Sequence, residues 1–95
     1  MKGPPSIYVY IVECADGTLY TGYTNNVTHR VQEHNNGRSG AKYTRSRRPV
    51  RLVYAEQCAT LSDALKREGE IKRLSRAEKL LLIEGAPMKK DLFST

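Results

Sequence analysis

Cysteine is scarce in this sequence, which has two cysteines among 95 residues. Cys14 and Cys58 stand far apart and form no CxxC or Cys/His pattern, so a zinc site is not expected. Reduced and partly buried thiols are usual in a cytosolic chain, and we therefore expect a cytoplasmic location.

Long apolar runs are also missing. No stretch approaches the roughly 18 apolar residues that a transmembrane helix needs, so no membrane partner is expected. The first five residues are not expected to begin a signal peptide, because the apolar stretch behind them is short and interrupted by tyrosines. The sequence shows no internal repeat and no linker, and 95 residues are enough for one domain.

Acidic residues are in the minority, and one long segment has none. Ten acids stand against 16 lysines and arginines, which gives a formal net charge of +6 and a pI near 9.6. This excess favours a polyanionic partner such as DNA. Between Asn35 and Ala55, where no acid occurs, Tyr43 stands among six basic residues: Arg38, Lys42, Arg45, Arg47, Arg48 and Arg51. We interpret this basic segment as a nucleic-acid-binding surface, with phosphate contacts and base stacking, and a merely solvated loop is the alternative.

Alternating β-prone residues predict two strands, at 7–13 and 18–24, with the turn signal Asp16-Gly17 between them. The length of the turn decides which tyrosines share a face. A two-residue loop would place Tyr10 and Tyr20 on opposite faces of the sheet. A three-residue loop, with the glycine in the left-handed region and a bulge, would place them on one face.

Helix signals follow the hairpin. Asn25-Asn26 can cap a helix that runs from Val27 to about His34, and one helical turn near 41–44 precedes a third strand at 50–58. Capping patterns begin two more helices, one at Thr60 and one at Ser75.

The order β-β-α-β-α-α predicts an α/β (α+β) fold in which helices flank a three-stranded antiparallel sheet. We expect one domain over residues 6–84, with flexible tails at 1–5 and 85–95. Gly85 and Pro87 are the signals that end the last helix.

Two charged residues interrupt the apolar faces of the predicted helices. Arg30 falls on the stripe of Val27, Val31 and His34, and Glu68 falls in the middle of the apolar face of the next long helix. A charge that faces a sheet is costly unless it has a partner. An Arg30–Glu68 salt bridge would satisfy both residues. Alternatively, the arginine faces an anion and the glutamate binds a hard cation.

These residues follow the order of motifs in a known family. Tyr8-Val9-Tyr10 and Tyr20-Thr21-Gly22 occupy the places of its two tripeptides, and Arg30 and His34 follow as in its first helix. Glu68 lines up with the family's metal-binding glutamate. The chain thus resembles the GIY-YIG nuclease superfamily along almost its whole length, and in particular the small stand-alone bacterial branch.

The resemblance implies a hydrolase that cuts DNA phosphodiester bonds with one Mg²⁺ or Mn²⁺ ion. It implies that Tyr20 helps to activate the attacking water, that Tyr10 positions nucleophile and phosphate, and that Arg30 stabilises phosphoryl charge. It places His34 in the same catalytic group and assigns the metal to Glu68. No protein partner can be named from it.

The basic segment carries a second resemblance. Its Gly-Ala-Lys-Tyr-Thr-Arg stretch and its Arg48-Pro49 pair resemble the nuclease subunit of eukaryotic structure-selective resolvases. Branched or single-stranded DNA is therefore an expected substrate. Two other hypotheses stay open: a non-catalytic nucleic-acid-binding module on the same fold, and a structural protein whose buried polar residues pair with one another.

Overall fold

A three-stranded antiparallel sheet is the centre of the protein in the computed structural model, which describes residues 6–37 and 41–85. The strands lie in the order β2-β1-β3, so that β1 is central and the other two strands are edges. The predicted fold and order are confirmed, with the expected helical turn in the connection to β3. The elements are β1 (Ile7–Glu13), β2 (Leu19–Thr24), α1 (Val27–Asn36), α2 (Lys42–Arg45), β3 (Arg51–Cys58), α3 (Leu61–Lys72) and α4 (Arg76–Glu84).

The hairpin loop between β1 and β2 has three residues, 15–17. The backbone N–H of Cys14 donates to the carbonyl of Thr18 at 2.8 Å, which closes the loop. Gly17 has a φ of +85°, a left-handed conformation that costs a glycine little. The three-residue alternative of the sequence analysis is therefore confirmed.

This loop sets the register of the tyrosines. Val12 lies opposite Tyr20, and Tyr10 lies opposite Gly22. Because alternate residues of a strand face the same side, both tyrosines share one face of the sheet. The first requirement for a common site is thereby met.

Helices cover both faces of the sheet. On one face Val9 and Ile11 pack with Ala64 and Ile71 of α3, and with apolar residues of α4. The opposite face carries Tyr10, Val12, Cys14 and Val50, and α1 packs there through Val31. α1 and α3 therefore lie on opposite sides of the sheet.

The predicted helix starts are confirmed in atomic detail. Asn26 accepts a hydrogen bond from the N–H of His29 at 3.0 Å, and Thr60 accepts one from Asp63 at 3.0 Å. Ser75 and Glu78 exchange the two bonds of a capping box. α1, α3 and α4 thus begin where a side chain satisfies an otherwise unpaired backbone donor.

α1 runs to Asn36, two residues past its predicted end at His34. Asn35 was expected to help end the helix. Its side-chain amide instead donates to the carbonyl of Val50 at 2.9 Å and accepts from the N–H of Val50 at 2.7 Å. This paired contact fixes the last turn of α1 against the start of β3.

The end of α4 agrees with its predicted signal. Gly85 was predicted to end the helix, and it caps α4 with a φ of +73°. The rest of the expected tails, at 1–5 and 86–95, lies outside the described residues. None of the helices in the described ranges has the length and apolarity that crossing a bilayer requires.

Candidate active site

A cleft of about 400 Å³ opens beside the edge strand β2, and the four residues expected to carry the chemistry line it together. Tyr10 and Tyr20 enter from the sheet, Arg30 from α1 and Glu68 from α3. Because α1 and α3 cover opposite faces, their charged side chains approach each other at the sheet edge. The remaining lining residues are Gly22, Tyr23, Thr24 and Asn25.

Gly22 makes room for the hydroxyl of Tyr10. A Cβ atom at position 22 would lie 2.7 Å from Tyr10 Oη and 2.9 Å from its Cζ. Both distances are too short for non-bonded atoms. The glycine of the second tripeptide is thus required by the position of the tyrosine of the first.

Gly22→Ala is expected to destabilise the fold by about 1–3 kcal/mol, the usual cost of overpacking a filled interior. The measurement is urea unfolding of wild type and variant. Gly69→Ala is the control, because a Cβ there would meet only the flexible end of Arg73, at 3.5 Å. It should gain about 0.5–1 kcal/mol, since Gly69 lies inside α3. Equal stability of the two variants would contradict the close packing of Tyr10.

A buried hydrogen-bonded chain leads from Tyr10 into the protein. Tyr10 Oη lies 2.7 Å from His34 Nε2, and His34 Nδ1 lies 2.8 Å from Thr44 Oγ1. Thr44 donates its own proton to the carbonyl of Ala41 at 3.0 Å, so its oxygen accepts from Nδ1–H of the histidine. His34 Nε2 is then unprotonated and accepts from Tyr10. The hydrogen-bond network thus places the proton of the neutral His34 ring on Nδ1.

The proton of Tyr10 therefore points inward, and its oxygen lone pairs face the cleft. Burial raises the pKa of Tyr10 to about 12, although the hydrogen bond and charge of Arg30 oppose the rise. Burial lowers the pKa of His34 to about 4, and the charges of Arg30 and Arg48 act in the same direction against Glu33. Both groups are neutral at pH 7, so Tyr10 serves as a fixed acceptor.

His34, predicted as a catalytic residue, is fully buried behind Tyr10 and does not line the cleft. Its two ring nitrogens lie at hydrogen-bond distance from Tyr10 and Thr44. Thr44, which is also fully buried, was missed by the sequence analysis. The signal for it was indirect, because a buried histidine needs a partner at each ring nitrogen.

Arg30 and Glu68 each have an ion-pair partner on their own helix. Arg30 Nη1 lies 3.0 Å from Glu33 Oε1, and Glu68 Oε2 lies 3.4 Å from Lys72 Nζ. The Glu68 side chain is 17% exposed, and the Lys72 side chain is 54% exposed. The glutamate therefore faces a wet cleft beside a solvated lysine.

The donor set of the cleft suits a hard cation with few protein ligands. In residues 6–37 and 41–85, no group of three or more His, Cys, Asp or Glu residues converges. Glu68 is the carboxylate that lines the cleft. Mg²⁺ keeps several waters and commonly takes one or two carboxylates together with substrate phosphate oxygens. A single carboxylate in a cleft with room for a phosphate group fits this mode of Mg²⁺ coordination.

The basic segment divides into residues with different surroundings. Lys42 and Arg45 of α2 are exposed. Arg48, predicted to contact nucleic acid, instead donates to the carbonyls of His34 and Gly37 at the end of α1. Its guanidinium thus caps a helix. Arg38, also predicted as a nucleic-acid contact, lies outside the described residues.

Two further members of the predicted surface are Tyr43, which lies beside Tyr20, and Arg47, which lies over Tyr43. The rings of Tyr20 and Tyr43 are stacked, with centroids 5.8 Å apart and planes 23° apart. The Arg47 guanidinium carbon lies 3.9 Å from the centroid of the Tyr43 ring. The Tyr20 ring also makes a T-shaped contact with the buried His34 ring, with ring centroids 5.3 Å apart. Tyr43 of the basic segment thus contacts Tyr20, which lines the cleft.

Comparison with known proteins agrees with this geometry. The GIY-YIG catalytic domain matches residues 6–81. A UPF0213 protein from Syntrophus aciditrophicus (strain SB) is 62% identical over 80 residues, which are 84% of this chain and 92% of the relative. A UPF0213 protein from Staphylococcus saprophyticus is 60% identical over 76 residues, with 80% of this chain and 92% of the relative covered.

Two solved structures are also similar. The solution NMR structure of a UPF0213 protein from Bacillus halodurans has a TM-score of 0.55 and 40% identity, with 94% of each chain covered. That of a protein from E. faecalis has a TM-score of 0.57 and 40% identity, with 86% of this chain and 88% of the other covered. The chain therefore belongs to the GIY-YIG nuclease superfamily, together with the small UPF0213 proteins, as its tyrosine tripeptides indicated.

Proposed function

We propose that this protein is a metal-dependent endonuclease that hydrolyses DNA phosphodiester bonds in the cytoplasm, on branched or single-stranded DNA. The observation that carries the proposal is the meeting of two tyrosine hydroxyls, one guanidinium and one carboxylate in a single cleft: Tyr10, Tyr20, Arg30 and Glu68. Membership of the superfamily supports the reaction class.

Arg30 is the anion-binding group of the cleft. Glu33 holds one of its terminal nitrogens, and the guanidinium also hydrogen-bonds Tyr10. A guanidinium is planar and always charged, so it can donate in parallel to the oxygens of a phosphate. Its charge is fixed before the substrate arrives. It therefore stabilises the negative charge that develops on the phosphoryl group without reorganisation in the transition state.

The two tyrosines handle the attacking water. Tyr10 donates its O–H hydrogen bond to His34, so its oxygen can accept a hydrogen bond from the water, which orients the water oxygen toward phosphorus. Tyr20 supplies the other cleft hydroxyl and relays the proton that the water loses: its oxygen accepts that proton while its own phenolic proton passes to solvent at the open cleft.

Glu68 would bind the Mg²⁺ or Mn²⁺ ion. When bound there, the ion supplies Lewis-acid stabilisation to the scissile phosphate and the leaving oxygen.

The direct test is incubation of the protein with flap, splayed, nicked and duplex DNA in Mg²⁺, Mn²⁺ or EDTA. Wild type should cleave at least one of these substrates with metal and none with EDTA, and Tyr20→Phe should lose cleavage. Tyr54→Phe is the matched control. It removes a hydroxyl that bonds Glu56 in a strand-to-α3 network away from the cleft. If wild type binds DNA without cutting any substrate, the non-catalytic module becomes the better description.

Phosphate contact by α2 should appear in the salt dependence of DNA binding. Each contact contributes a slope of about −0.9 in log K against log salt. Lys42→Ala with Arg45→Ala should therefore flatten the slope by up to roughly 2. Removal of the same charge from α4, by Arg76→Ala with Lys79→Ala, should leave the slope as in wild type. An equal loss in both double variants would assign the effect to net charge alone.

Arg48→Ala is expected to act on stability and not on the salt slope. The change removes the donors that satisfy two carbonyl groups at the end of α1, from His34 and Gly37. Charge-assisted bonds of this kind each contribute about 1.5–3 kcal/mol. Urea unfolding should show a loss of that order. Wild-type stability together with a flatter slope would return Arg48 to the DNA-binding surface.

A further inference from the structure

We infer that Asp16, Tyr43 and Arg47 form a clamp that holds the Tyr20 ring in the cleft, and that Tyr43 and Arg47 are positioning residues and not DNA contacts. The inference rests on the proposed function, because it gives these residues their task through Tyr20. The three residues are called the Tyr20 clamp below.

Tyr20 needs support from outside the sheet. It lies on β2, an edge strand that has a neighbour on one side only. Its ring is held on that face by the buried edge of His34 at 5.3 Å and by the stacked ring of Tyr43 at 5.8 Å. Stacked and edge-on contacts are the two favourable arrangements of aromatic rings. Tyr43, which is 37% exposed, is the outer of these two supports.

A single guanidinium holds Tyr43. Arg47 places its Cζ atom 3.9 Å from the centroid of the Tyr43 ring, and its Nη1 donates to the backbone carbonyl of Tyr43 at 2.8 Å. The first contact fixes the ring through a cation–π interaction, and the second fixes the backbone that carries it. Arg47 therefore contacts both the ring and the backbone of Tyr43.

Asp16 anchors Arg47 to the hairpin that carries Tyr20. Arg47 Nε donates to Asp16 Oδ2 at 3.1 Å, and the backbone N–H of Ala15 donates to the Arg47 carbonyl at 2.9 Å. The other carboxylate oxygen of Asp16 accepts from the N–H of Thr18 at 3.1 Å and from its hydroxyl at 2.6 Å. The hairpin loop thus binds Arg47. The contacts lead from Tyr20 on β2 through Tyr43, Arg47 and Asp16 to Thr18, the residue before β2.

The ionised state of Asp16 suits this task. Its pKa is lowered first by the hydrogen bonds from Thr18 and then by the charge and hydrogen bond of Arg47. The carboxylate is therefore charged at any pH near neutrality.

The same contacts argue against a DNA-binding role for the clamp. Nε and Nη1 of Arg47 are already engaged, and the guanidinium lies over Tyr43. A nucleobase stacking on the Tyr43 ring would compete with both Tyr20 and Arg47. Lys42 and Arg45, by contrast, are exposed on the same short helix. The sequence pattern of one basic segment thus contains a phosphate-facing part and a positioning part.

The test compares variants that cut the clamp with variants that leave it whole. Asp16→Asn keeps an oxygen for Thr18 but removes the charge and the acceptor that hold Arg47. Thr18→Ala is its control, because it removes the hydroxyl bond to Asp16 and leaves the Arg47 pair in place. Tyr43→Leu removes the stacked ring, and Tyr43→Phe keeps it. The protein is used as the full chain, with thermal melts to confirm folding.

Single-turnover cleavage of the best-cut DNA is measured together with the dissociation constant for the same DNA. Asp16→Asn and Tyr43→Leu should lower the cleavage rate at least ~10-fold with little change in affinity, since a misplacement of about 1 Å can cost ~100-fold. Thr18→Ala and Tyr43→Phe should stay within about threefold of wild type. Weaker binding by Tyr43→Leu with an unchanged rate would overturn the inference and make Tyr43 a DNA contact.

A second readout does not depend on activity. In protein with ¹³C-labelled tyrosine, the ring signal of Tyr20 is identified as the one that Tyr20→Phe removes. Asp16→Asn removes no aromatic ring. A shift of the Tyr20 signal in this variant therefore shows that the contact between Asp16 and Arg47 affects the position of the Tyr20 ring. An unmoved signal overturns the clamp even if cleavage proceeds. If Tyr20→Phe cleaves like wild type, the proposed function fails instead, and the NMR result still decides the clamp.

Discussion

Glu68→Gln is expected to abolish cleavage while the fold survives. The substitution keeps the shape of the side chain and removes the charge that would hold a divalent cation. Loss of charge stabilisation at a reacting phosphate should cost on the order of 10²–10³-fold in rate, as for other electrostatic groups that act in a transition state.

The fold should survive because the ion pair of Glu68 is weak. Its partner Lys72 lies one turn further along α3, at 3.4 Å, and the lysine side chain is 54% exposed. A solvated pair of this kind contributes about 0–1 kcal/mol. A buried salt bridge across the site would cost about 3–5 kcal/mol to break, which would nearly unfold so small a domain. The contacts of Glu68 are of the first kind.

Thermal melts with and without Mn²⁺ provide the measurement. A ligand that binds the native state alone raises the melting temperature, so wild type should respond to the metal and Glu68→Gln should not. Lys72→Gln is the control, since it removes the ion pair and keeps the carboxylate, and it should retain the response. A severe loss of stability in Glu68→Gln, with no metal response in wild type, would make Glu68 a structural residue.

The sequence was sufficient for most of the fold because the local signals agree with the tertiary contacts. Cap residues such as Thr60 and Ser75 begin helices as predicted, and the strand alternation gives both faces of the sheet. The two possible hairpin registers could not be separated by pattern alone. The pairing of Glu13 with Leu19 and the hydrogen bond from Cys14 to Thr18 decide between them, because a left-handed glycine fits either loop.

The place of Glu68 relative to Arg30 could not be predicted from periodicity. Both residues interrupt an apolar stripe, which left open whether they form a salt bridge with each other or bind an anion and a cation. The helices in fact cover opposite faces, and the two side chains share a cleft only because β2 is an edge. A helical pattern tells which side of a helix meets the sheet, and it carries no information about which face of the sheet is met.

The roles within the basic segment were harder still. Lys42, Arg47 and Arg48 look alike in sequence, since each is a cation in an acid-free stretch. Their roles differ because of acceptors that are distant along the chain: Asp16 for Arg47, and the end of α1 for Arg48. Lys42 and Arg45 are the residues for which we still propose contact with DNA.

Acid is expected to destabilise this protein from about pH 6.5 downward, before its carboxylates titrate, and His34 is the cause. The pKa of His34 is lowered from 6.5 to about 4 in the folded state, chiefly by burial. An unfolded chain therefore binds a proton at this histidine that the folded chain rejects. The stabilisation is fully present above pH 6.5, falls as the pH drops toward 4, and amounts in total to about 3 kcal/mol.

Urea unfolding at several pH values between 7.5 and 4 measures this loss. Arg30, Glu33 and Arg48 face the histidine, and the two arginines make its protonation harder. His34→Gln should be less stable than wild type near pH 7.5, because an amide cannot bond both Tyr10 and Thr44 with the geometry of the imidazole ring, yet its stability should change much less between pH 6.5 and 4.5. His29→Gln is the control, since that side chain is 65% exposed, and it should keep the acid sensitivity of wild type. If His34→Gln and wild type lose stability in parallel over this range, another group governs acid unfolding, and the buried chain from Tyr10 to Thr44 does not depend on a neutral imidazole.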